Sequence, residues 1–272
     1  MLRRRSYHRY FPAQEGSDNL KEGFEMGRPG AATDIAAFAG DGAKKEAESL
    51  TPFVLTERNV FPPATSRFGM HRRKNLEKLY GELQGLSIAL LRLLAAATSS
   101  IELLDALRLE DSVSTLRLLH YPPAPKGHEQ ELCCTPHTDS GLLTLLHQDA
   151  TGGLEVLNAA GEWIAAPYVP GSLVVNIGDL MASMMGGRFV ATRHRVRSSS
   201  VGRDRYSVPF FFEPGVDAVV GRDAAGKEVR YEDFVLGKMK TWIEFQDVDR
   251  GGEEKGDGNL GLHSRVEVDV TA

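Results

Sequence analysis

The spacing of apolar residues along this chain changes near residue 110, and the change separates two kinds of structure. Over residues 76–98, apolar side chains recur every three or four positions, the period of a helix with one buried face. The sequence therefore predicts one long helix here, packed on the outside of a sheet. Its apolar positions are Leu76, Leu79, Tyr80, Leu83, Leu86, Leu90, Leu93 and Leu94.

Between residues 113 and 214, the helical period gives way to short runs of branched and aromatic residues, separated by glycine, proline and aspartate. Several short runs at this spacing are typical of a β-sandwich or β-barrel. The pattern thus predicts a mainly β core behind the long helix. The predicted strands are Ser114–His120, Leu142–Leu146, Leu154–Leu157, Leu173–Asn176, Ala191–Arg197 and Tyr206–Phe212.

The two ends of the chain carry weaker patterns. Prolines and glycines interrupt residues 1–70, which predicts loops, whereas residues 231–245 favour a helix and the glycine-rich stretch 251–261 favours a mobile loop. We therefore divide the chain into a loop-rich and helical region at 1–110, a β core at 111–215 and a C-terminal segment with a helix and mobile tail at 216–272.

Composition narrows the class of protein further. The 272 residues suit one large domain, and the 42% hydrophobic content is enough for a sizeable core. The net charge of −5 shows no excess of basic residues that would indicate nucleic-acid binding. The apolar run 86–97 is too short to cross a bilayer. Adjacent Cys133 and Cys134 are poorly placed to bridge one another, which favours a reducing compartment. We expect a cytoplasmic monomer with no nucleic-acid or membrane partner.

Candidate chemistry begins at His137-Thr138-Asp139 and continues at His194. On a β-strand, residues i and i+2 point to the same face, so His137 and Asp139 can bind one ion. His194 comes from a later strand, far enough along the chain to cross a sheet and return. Two histidines and one carboxylate suit non-haem iron(II) and leave open positions for small molecules.

A second pair, Arg205 and Ser207, repeats the i, i+2 spacing and aims a guanidinium and a hydroxyl at one face. An arginine fork matches a carboxylate in bidentate fashion. Either motif alone is weak evidence in a chain with 8 histidines and 32 lysines and arginines. Together and in this order, they predict an iron ion with a dicarboxylate beside it.

The segments around these residues make the chain recognisable. In order and spacing they resemble the iron(II)/2-oxoglutarate-dependent dioxygenases of the isopenicillin N synthase-like family, over about residues 20–240. The matching segments are Leu116–Pro123, Pro136–Leu146, Gly153–Val156, Gly161–Ile164, Pro170–Asp179, His194–Val196 and Arg205–Pro214.

The resemblance implies a double-stranded β-helix, or jelly roll, with flanking α-helices. It implies that His137, Asp139 and His194 bind Fe(II), and that Arg205 and Ser207 bind the far carboxylate of 2-oxoglutarate. The expected reaction uses O2 to oxidise a small organic molecule, by hydroxylation or desaturation, with release of succinate and CO2.

The resemblance also assigns Tyr121 to the co-substrate, although the same tyrosine can simply fill core space. Plant members often carry asparagine two residues earlier, where this chain has Leu119. Relatives usually begin with an opening strand and helix that this sequence lacks. The resemblance therefore implies a truncated start, and a short form, a fragment and a misplaced start site all fit.

Three other functions fit parts of the pattern. An oxidase of the isopenicillin N synthase type keeps the R-x-S pair without using 2-oxoglutarate. A non-catalytic jelly roll would serve as a binding module, but the intact His-Asp-His set argues against it. A zinc hydrolase could use the same three ligands, but it leaves Arg205 and Ser207 without a role.

Overall fold

The computed structural model describes residues 10–12, 21–30, 54–57, 59–62, 69–101, 103–123, 132–198 and 202–239. The glycine-rich stretch 251–261 and the end of the predicted C-terminal helix lie outside these residues. The strands are β1 (Tyr10–Phe11), β2 (Glu22–Met26), β3 (Thr115–Tyr121), β4 (Leu132–His137), β5 (Leu143–Gln148), β6 (Leu154–Leu157), β7 (Trp163–Ala165), β8 (Val174–Ile177), β9 (His194–Arg197), β10 (Arg205–Phe212), β11 (Val219–Arg222) and β12 (Glu228–Arg230). The helices are α1 (Gly69–Ala97), α2 (Leu103–Ala106), α3 (Asp179–Met184) and α4 (Tyr231–Met239), with short 3-10 turns at Val54–Thr56 and Leu109–Asp111.

Two antiparallel sheets form the body of the protein. The larger sheet has the order β1-β2-β3-β10-β5-β8, and the smaller sheet has the order β4-β9-β6-β7. Strands that are distant in sequence lie side by side in both sheets, as in a double-stranded β-helix, so the predicted fold class is confirmed. Strands β3 to β10 fall within 111–215, whereas β1 and β2 extend the larger sheet from the N-terminal region.

Successive side chains along each strand point to opposite sides, so the larger sheet has two distinct faces. On β10, Phe210 and Phe212 are fully buried in the core cluster that includes the helices. Arg205 and Ser207 are buried on the opposite face, which looks toward the smaller sheet. Because antiparallel partners share a face, this face also carries Tyr121, the partner of Arg205. The face between the two sheets thus carries the buried polar residues Arg205 and Ser207 beside the apolar side chains of a second core cluster.

Helix α1 covers the apolar face of the larger sheet, as the helical spacing predicted. Its buried stripe includes Tyr80, Leu83 and Leu91. The Tyr80 hydroxyl donates a hydrogen bond to the Ser114 carbonyl at 2.8 Å, and its ring meets Phe210 edge-on with centroids 5.1 Å apart. These contacts fix the helix against strand β10 next to the site residues.

By length and composition alone, the part of α1 over His71–Ala97 could span a membrane, with a mean hydropathy of 1.2. The helices that cover the core of a water-soluble domain pass the same test. In this structure 28% of the window is buried, along the stripe of α1 that faces the sheet.

Strand β4 was not among the strands predicted from the sequence. Its sequence, LCCTPH, contains Pro136, and proline disfavours a regular strand. The ladder with β9 accommodates this through register shifts between Leu132 and Cys134 and between Cys134 and His137. The irregular strand still ends on His137, so it positions one of the candidate ligands.

A buried acid, Glu213, follows directly after β10. Gly141 packs against its carboxyl group so closely that a Cβ at Gly141 would lie 2.4 Å from Oε2. Burial raises the pKa of Glu213 to about 8, the Asp139 carboxylate adds to the rise, and the Tyr231 hydroxyl offsets part of it. Glu213 is therefore a neutral acid in the folded protein at neutral pH.

We predict that wild type loses stability as the pH rises because of Glu213, and that the Glu213→Gln variant does not show this loss. The unfolded glutamate ionises near its ordinary pKa of 4.5, whereas the folded one holds its proton to about 8. Since the folded state binds more protons in this window, wild-type stability falls from pH 4.5 to 8. Urea unfolding should show that the free energy of unfolding of the variant, relative to that of wild type, increases from pH 4.5 to 8 and is constant above pH 8. The surface variant Glu82→Gln is the control, and an unchanged difference would contradict the assignment.

Candidate active site

Three of the predicted site residues meet at one point. His137 at the end of β4 pairs directly with His194 at the start of β9, and their rings lie 4.3 Å apart. Their Nε2 atoms lie 3.9 and 3.6 Å from the same oxygen, Oδ1 of Asp139. One ligand atom from each of these three residues lies within 4.8 Å of the others, which is close enough to hold a metal ion. Among the described residues, this is the group of His, Cys, Asp and Glu side chains with that geometry.

Asp139 is not on the strand that the i, i+2 argument assumed. Strand β4 ends at His137, and Asp139 lies in the turn that follows. The start of α3 holds this turn, since the Asp179 amide donates to the Asp139 carbonyl at 2.8 Å. Gly178 allows the approach, because a Cβ there would lie 2.1 Å from the Gly141 carbonyl oxygen. Backbone bonds between two loops therefore place Asp139 opposite the histidines.

Two polar residues fix the Asp139 carboxylate, and the sequence argument missed both roles. The Thr144 hydroxyl on β5 and the Asn176 amide on β8 donate to Oδ2 of Asp139 at 2.7 and 2.9 Å. These residues are register partners and face Asp139 from one sheet. Because Oδ2 is held from this side, Oδ1 is directed at the histidines. The sequence signal for these roles was a polar residue, Thr144 or Asn176, in an otherwise apolar predicted strand.

The histidines are also fixed on the side away from Asp139. The Nδ1 atom of His137 donates to the Thr135 carbonyl at 2.7 Å, and that of His194 donates to the Thr192 carbonyl at 3.1 Å. A carbonyl bond at Nδ1 leaves the Nε2 lone pair for a metal. Both rings are thus held in the tautomer and direction that a ligand needs.

The site is buried on one side and open on the other. The side chains of Asp139 and His194 are 6% and 15% exposed, whereas that of His137 is 41% exposed. Burial disfavours protonation of His137, but the Cys134 thiol and the Asp139 carboxylate outweigh it and raise the pKa of His137 to about 9. Burial lowers the pKa of His194, and although Asp139 offsets part of this, the charge on His137 lowers it further. The two shifts have opposite directions, so the surroundings favour a positive charge on His137 over one on His194.

The predicted pair Arg205 and Ser207 lies on one buried face of β10, as its spacing required, and Tyr206 between them is exposed. Two hydrogen bonds fix the guanidinium: its Nε donates to the Gly152 carbonyl at 2.7 Å, and its Nη1 donates to the Ser207 hydroxyl at 3.2 Å. The Tyr121 ring packs against the guanidinium at 4.8 Å. The structure thus gives Tyr121 a place in this cluster, beside the cation.

Strand β5 links the two clusters along the face between the sheets. Thr144, which binds Asp139, and Gln148, the partner of Ser207, lie four residues apart on β5. Four residues of strand span about 13 Å. An arginine side chain and a five-carbon diacid can bridge this gap end to end, so both clusters can serve one bound molecule.

Two other histidines lie apart from the ligand cluster. His120 faces the opposite side of β3, where it bonds the Glu22 and Asp204 carboxylates at 2.7 and 2.6 Å. His147 is exposed on β5.

Comparisons with known proteins point to one family. The family model described as the 2OG-Fe(II) oxygenase superfamily matches residues 112–214. A 2-oxoglutarate-dependent dioxygenase of Didymella fabae is 37% identical over 197 residues, which are 68% of this chain and 60% of that protein. The rice homoarginine-6-hydroxylase 2-ODD-233 is 32% identical over 233 residues, 82% of this chain and 69% of that protein. The fold matches that of a full-length Neurospora crassa protein in complex with alpha-KG, with a TM-score of 0.64, 22% identity, and coverage of 82% of this chain and 66% of that one.

The chain spans only part of several relatives. It covers 60% of the Didymella protein, and 41% and 50% of two further fungal relatives. The matched family segment contains every candidate ligand, from Tyr121 through Ser207.

We predict that Asn176→Ala and Thr144→Val each weaken metal binding by roughly tenfold to a hundredfold, because both release Oδ2 of Asp139 from its fixed direction. Calorimetric titration with Mn(II), a redox-stable substitute for Fe(II), would measure this. The control is Asn158→Ala on the turn between β6 and β7, which should bind metal as wild type does. Wild-type affinity in both test variants would show that these hydrogen bonds do not orient the ligand.

Proposed function

Because the chain belongs to the 2OG-Fe(II) oxygenase superfamily, we propose that it is a non-haem iron(II) and 2-oxoglutarate-dependent dioxygenase. It oxidises a small organic molecule, by hydroxylation or desaturation, with O2 as oxidant and release of succinate and CO2. The observation that carries this proposal is the convergence of His137, His194 and Asp139 Oδ1 at one end of a jelly roll whose facing sheet carries buried Arg205 and Ser207.

The donor set fits iron(II). Two imidazole nitrogens and one carboxylate oxygen from one side of a site are the ligands that non-haem iron oxygenases use, and they leave coordination positions open. His137, Asp139 and His194 would hold the ion through Nε2, Oδ1 and Nε2. When bound, the iron supplies the activation of O2 that is coupled to decarboxylation of 2-oxoglutarate and oxidation of a C–H bond.

Arg205 and Ser207 fit the far carboxylate of 2-oxoglutarate. Arg205 is 4% exposed and Ser207 is 2% exposed, so a carboxylate here would be removed from water. Such a group needs a fixed opposite charge, because burial of an unpaired carboxylate is strongly unfavourable. The Gly152 and Ser207 bonds already hold the guanidinium plane, and Tyr121 shields it from water. These residues bind and orient the co-substrate.

The other parts of the proposal have narrower support. A small-molecule substrate agrees with a site enclosed between two sheets. The chain gives no basic footprint for nucleic acid, with a net charge of −5. Cys133 and Cys134, the two cysteines of the chain, form no disulfide, which supports a reducing compartment such as the cytoplasm. We propose a monomer that acts there without a nucleic-acid or membrane partner.

We predict that His137→Ala and Asp139→Ala each abolish substrate oxidation and sharply weaken iron(II) binding, with the fold retained. Each variant removes one donor atom from the cluster without cutting a strand. Anaerobic iron titration with circular dichroism as the fold control would measure this, and His147→Ala, an exposed histidine on β5, is the matched control. Undiminished iron affinity in both variants would refute the ligand assignment.

We predict that Arg205→Ala raises the 2-oxoglutarate concentration needed for turnover by roughly 30-fold to several-thousand-fold, the effect of losing a buried charge partner worth about 2–5 kcal/mol. Ser207→Ala should have a smaller effect in the same direction, and the exposed Arg203→Ala should have none. The assay follows succinate release and O2 uptake together. Turnover that proceeds equally well without 2-oxoglutarate would instead support an oxidase of the isopenicillin N synthase type.

A further inference from the structure

His120 on β3 is held between two carboxylates. Its Nδ1 atom lies 2.7 Å from Oε1 of Glu22, and its Nε2 atom lies 2.6 Å from Oδ1 of Asp204. An ionised carboxylate only accepts hydrogen bonds, so both ring nitrogens must donate, and only the doubly protonated imidazolium can do this. The geometry is therefore that of a protonated His120.

The charged groups around His120 favour this proton. Burial alone would lower the pKa of His120, but the bonds to Glu22 and Asp204 and the charges of these two residues outweigh it, so that the pKa is raised. Tyr10 on β1 donates a hydrogen bond to the other oxygen of Glu22, and its bond and that from His120 lower the pKa of Glu22. Asp149, another carboxylate at this end of β10, accepts from a backbone amide of that strand.

His120 contacts the residues on both sides of Arg205. Its Nε2 bonds Asp204, which precedes Arg205 in the chain, and its ring stacks on that of Tyr206, which follows, with centroids 4.8 Å apart. Register places these groups back to back across the sheet, because His120 pairs with Tyr206 and Tyr121 pairs with Arg205. The backbone that presents the guanidinium is thus held from the other face by His120.

The position of Asp204 matters for the guanidinium of Arg205. The turn after β5 contacts both residues, since the Thr151 hydroxyl donates to the Asp204 carbonyl at 3.2 Å and the Gly152 carbonyl accepts from Nε of Arg205 at 2.7 Å. A shift of Asp204 would therefore move Arg205 relative to the carbonyl that fixes its guanidinium.

We propose that protonated His120 is a positioning residue for 2-oxoglutarate, which acts by holding Asp204 and hence the backbone of Arg205. This rests on the proposed function, because it concerns how the site binds its co-substrate. When His120 loses its proton, one ring nitrogen turns a lone pair toward a carboxylate, the bond is lost, and the start of β10 is released. Since the pKa is raised in the folded protein, this loss begins above the ordinary value of 6.5. The affinity for 2-oxoglutarate therefore falls as the pH rises through the raised pKa.

The competing explanation is the charge of His120 alone, which would attract the co-substrate dianion through the sheet without positioning anything. The Asp204→Ala variant separates the two explanations, because they predict opposite signs. If only charge matters, removal of a carboxylate near the dianion strengthens 2-oxoglutarate binding. If Asp204 is a positioning contact, its removal weakens binding. Asp105→Ala on α2 is the control for loss of an exposed carboxylate.

The first measurement is calorimetric titration of the iron(II)-loaded protein with 2-oxoglutarate, without oxygen. We expect wild type to bind about threefold to tenfold more tightly than His120→Gln at about pH 6, the effect of one or two partly exposed ion pairs. This ratio should fall toward one as the pH rises and His120 loses its proton. Asp204→Ala should bind more weakly than wild type at about pH 6, below the ordinary pKa of 6.5. The controls Asp105→Ala and His147→Gln should follow wild type.

The second measurement uses the reciprocity of linked equilibria. A co-substrate that binds the protonated form more tightly must raise the pKa of His120 by the same factor. Nitrogen-15 NMR of the imidazole ring measures this pKa with zinc(II), a diamagnetic substitute for iron(II), and the His120 signal is assigned by its loss in His120→Gln. We expect 2-oxoglutarate to raise the pKa of His120 by about half a unit to one unit, the equivalent of that fold-change.

Three results would overturn the proposal while 2-oxoglutarate still binds to wild type. These are an affinity ratio between wild type and His120→Gln that is the same at every pH, tighter 2-oxoglutarate binding in Asp204→Ala, and a pKa of His120 that 2-oxoglutarate does not change. Failure of the proposed function would look different, because wild type itself would then bind no 2-oxoglutarate in the presence of iron(II), and the positioning role would fail with it. Circular dichroism of each variant serves as the fold control.

Discussion

The orientation of the Asp139 carboxylate is the constraint on which the rest of the site depends. Asp139 lies in a turn, and a turn alone would let its carboxylate rotate away from the histidines. Thr144 and Asn176 hold Oδ2 from the larger sheet, while the start of α3 holds the backbone. His137 and His194 belong to the smaller sheet. The metal centre therefore exists only where the two sheets face each other, and it couples ligand geometry to the closure of the jelly roll.

Strand alternation explains how one sheet serves both stability and chemistry. The side of the larger sheet that faces the helices is apolar, with Phe210 and Phe212 fully buried against α1 and its neighbours. The side that faces the smaller sheet carries a cation, a hydroxyl and an amide at positions that are also buried. Buried polar groups are tolerated there because protein partners or a ligand compensate them. The same register that packs the core thus places Arg205 and Ser207 on the face that carries Thr144 and Asn176.

The sequence was sufficient for the features that depend on short spacing. The i, i+2 pair on β10 and the helical stripe of α1 follow from local periodicity, and the resemblance placed His137, Asp139 and His194 in one cluster. Features that depend on long-range contacts were missed. Asn176 was only the last residue of a predicted strand, yet it is a register partner of Thr144 and bonds a carboxylate 37 positions away.

The central claim is that the His-Asp-His cluster and the Arg205 pair bind one iron ion and one 2-oxoglutarate molecule together. Equilibrium dialysis of 2-oxoglutarate against the protein, with and without iron(II) and in the absence of oxygen, tests it most directly. The account predicts that each chain binds a single 2-oxoglutarate much more tightly when iron is present, since metal and arginine hold opposite ends of the molecule. Binding that is absent under both conditions, or that is the same with and without iron, would contradict it.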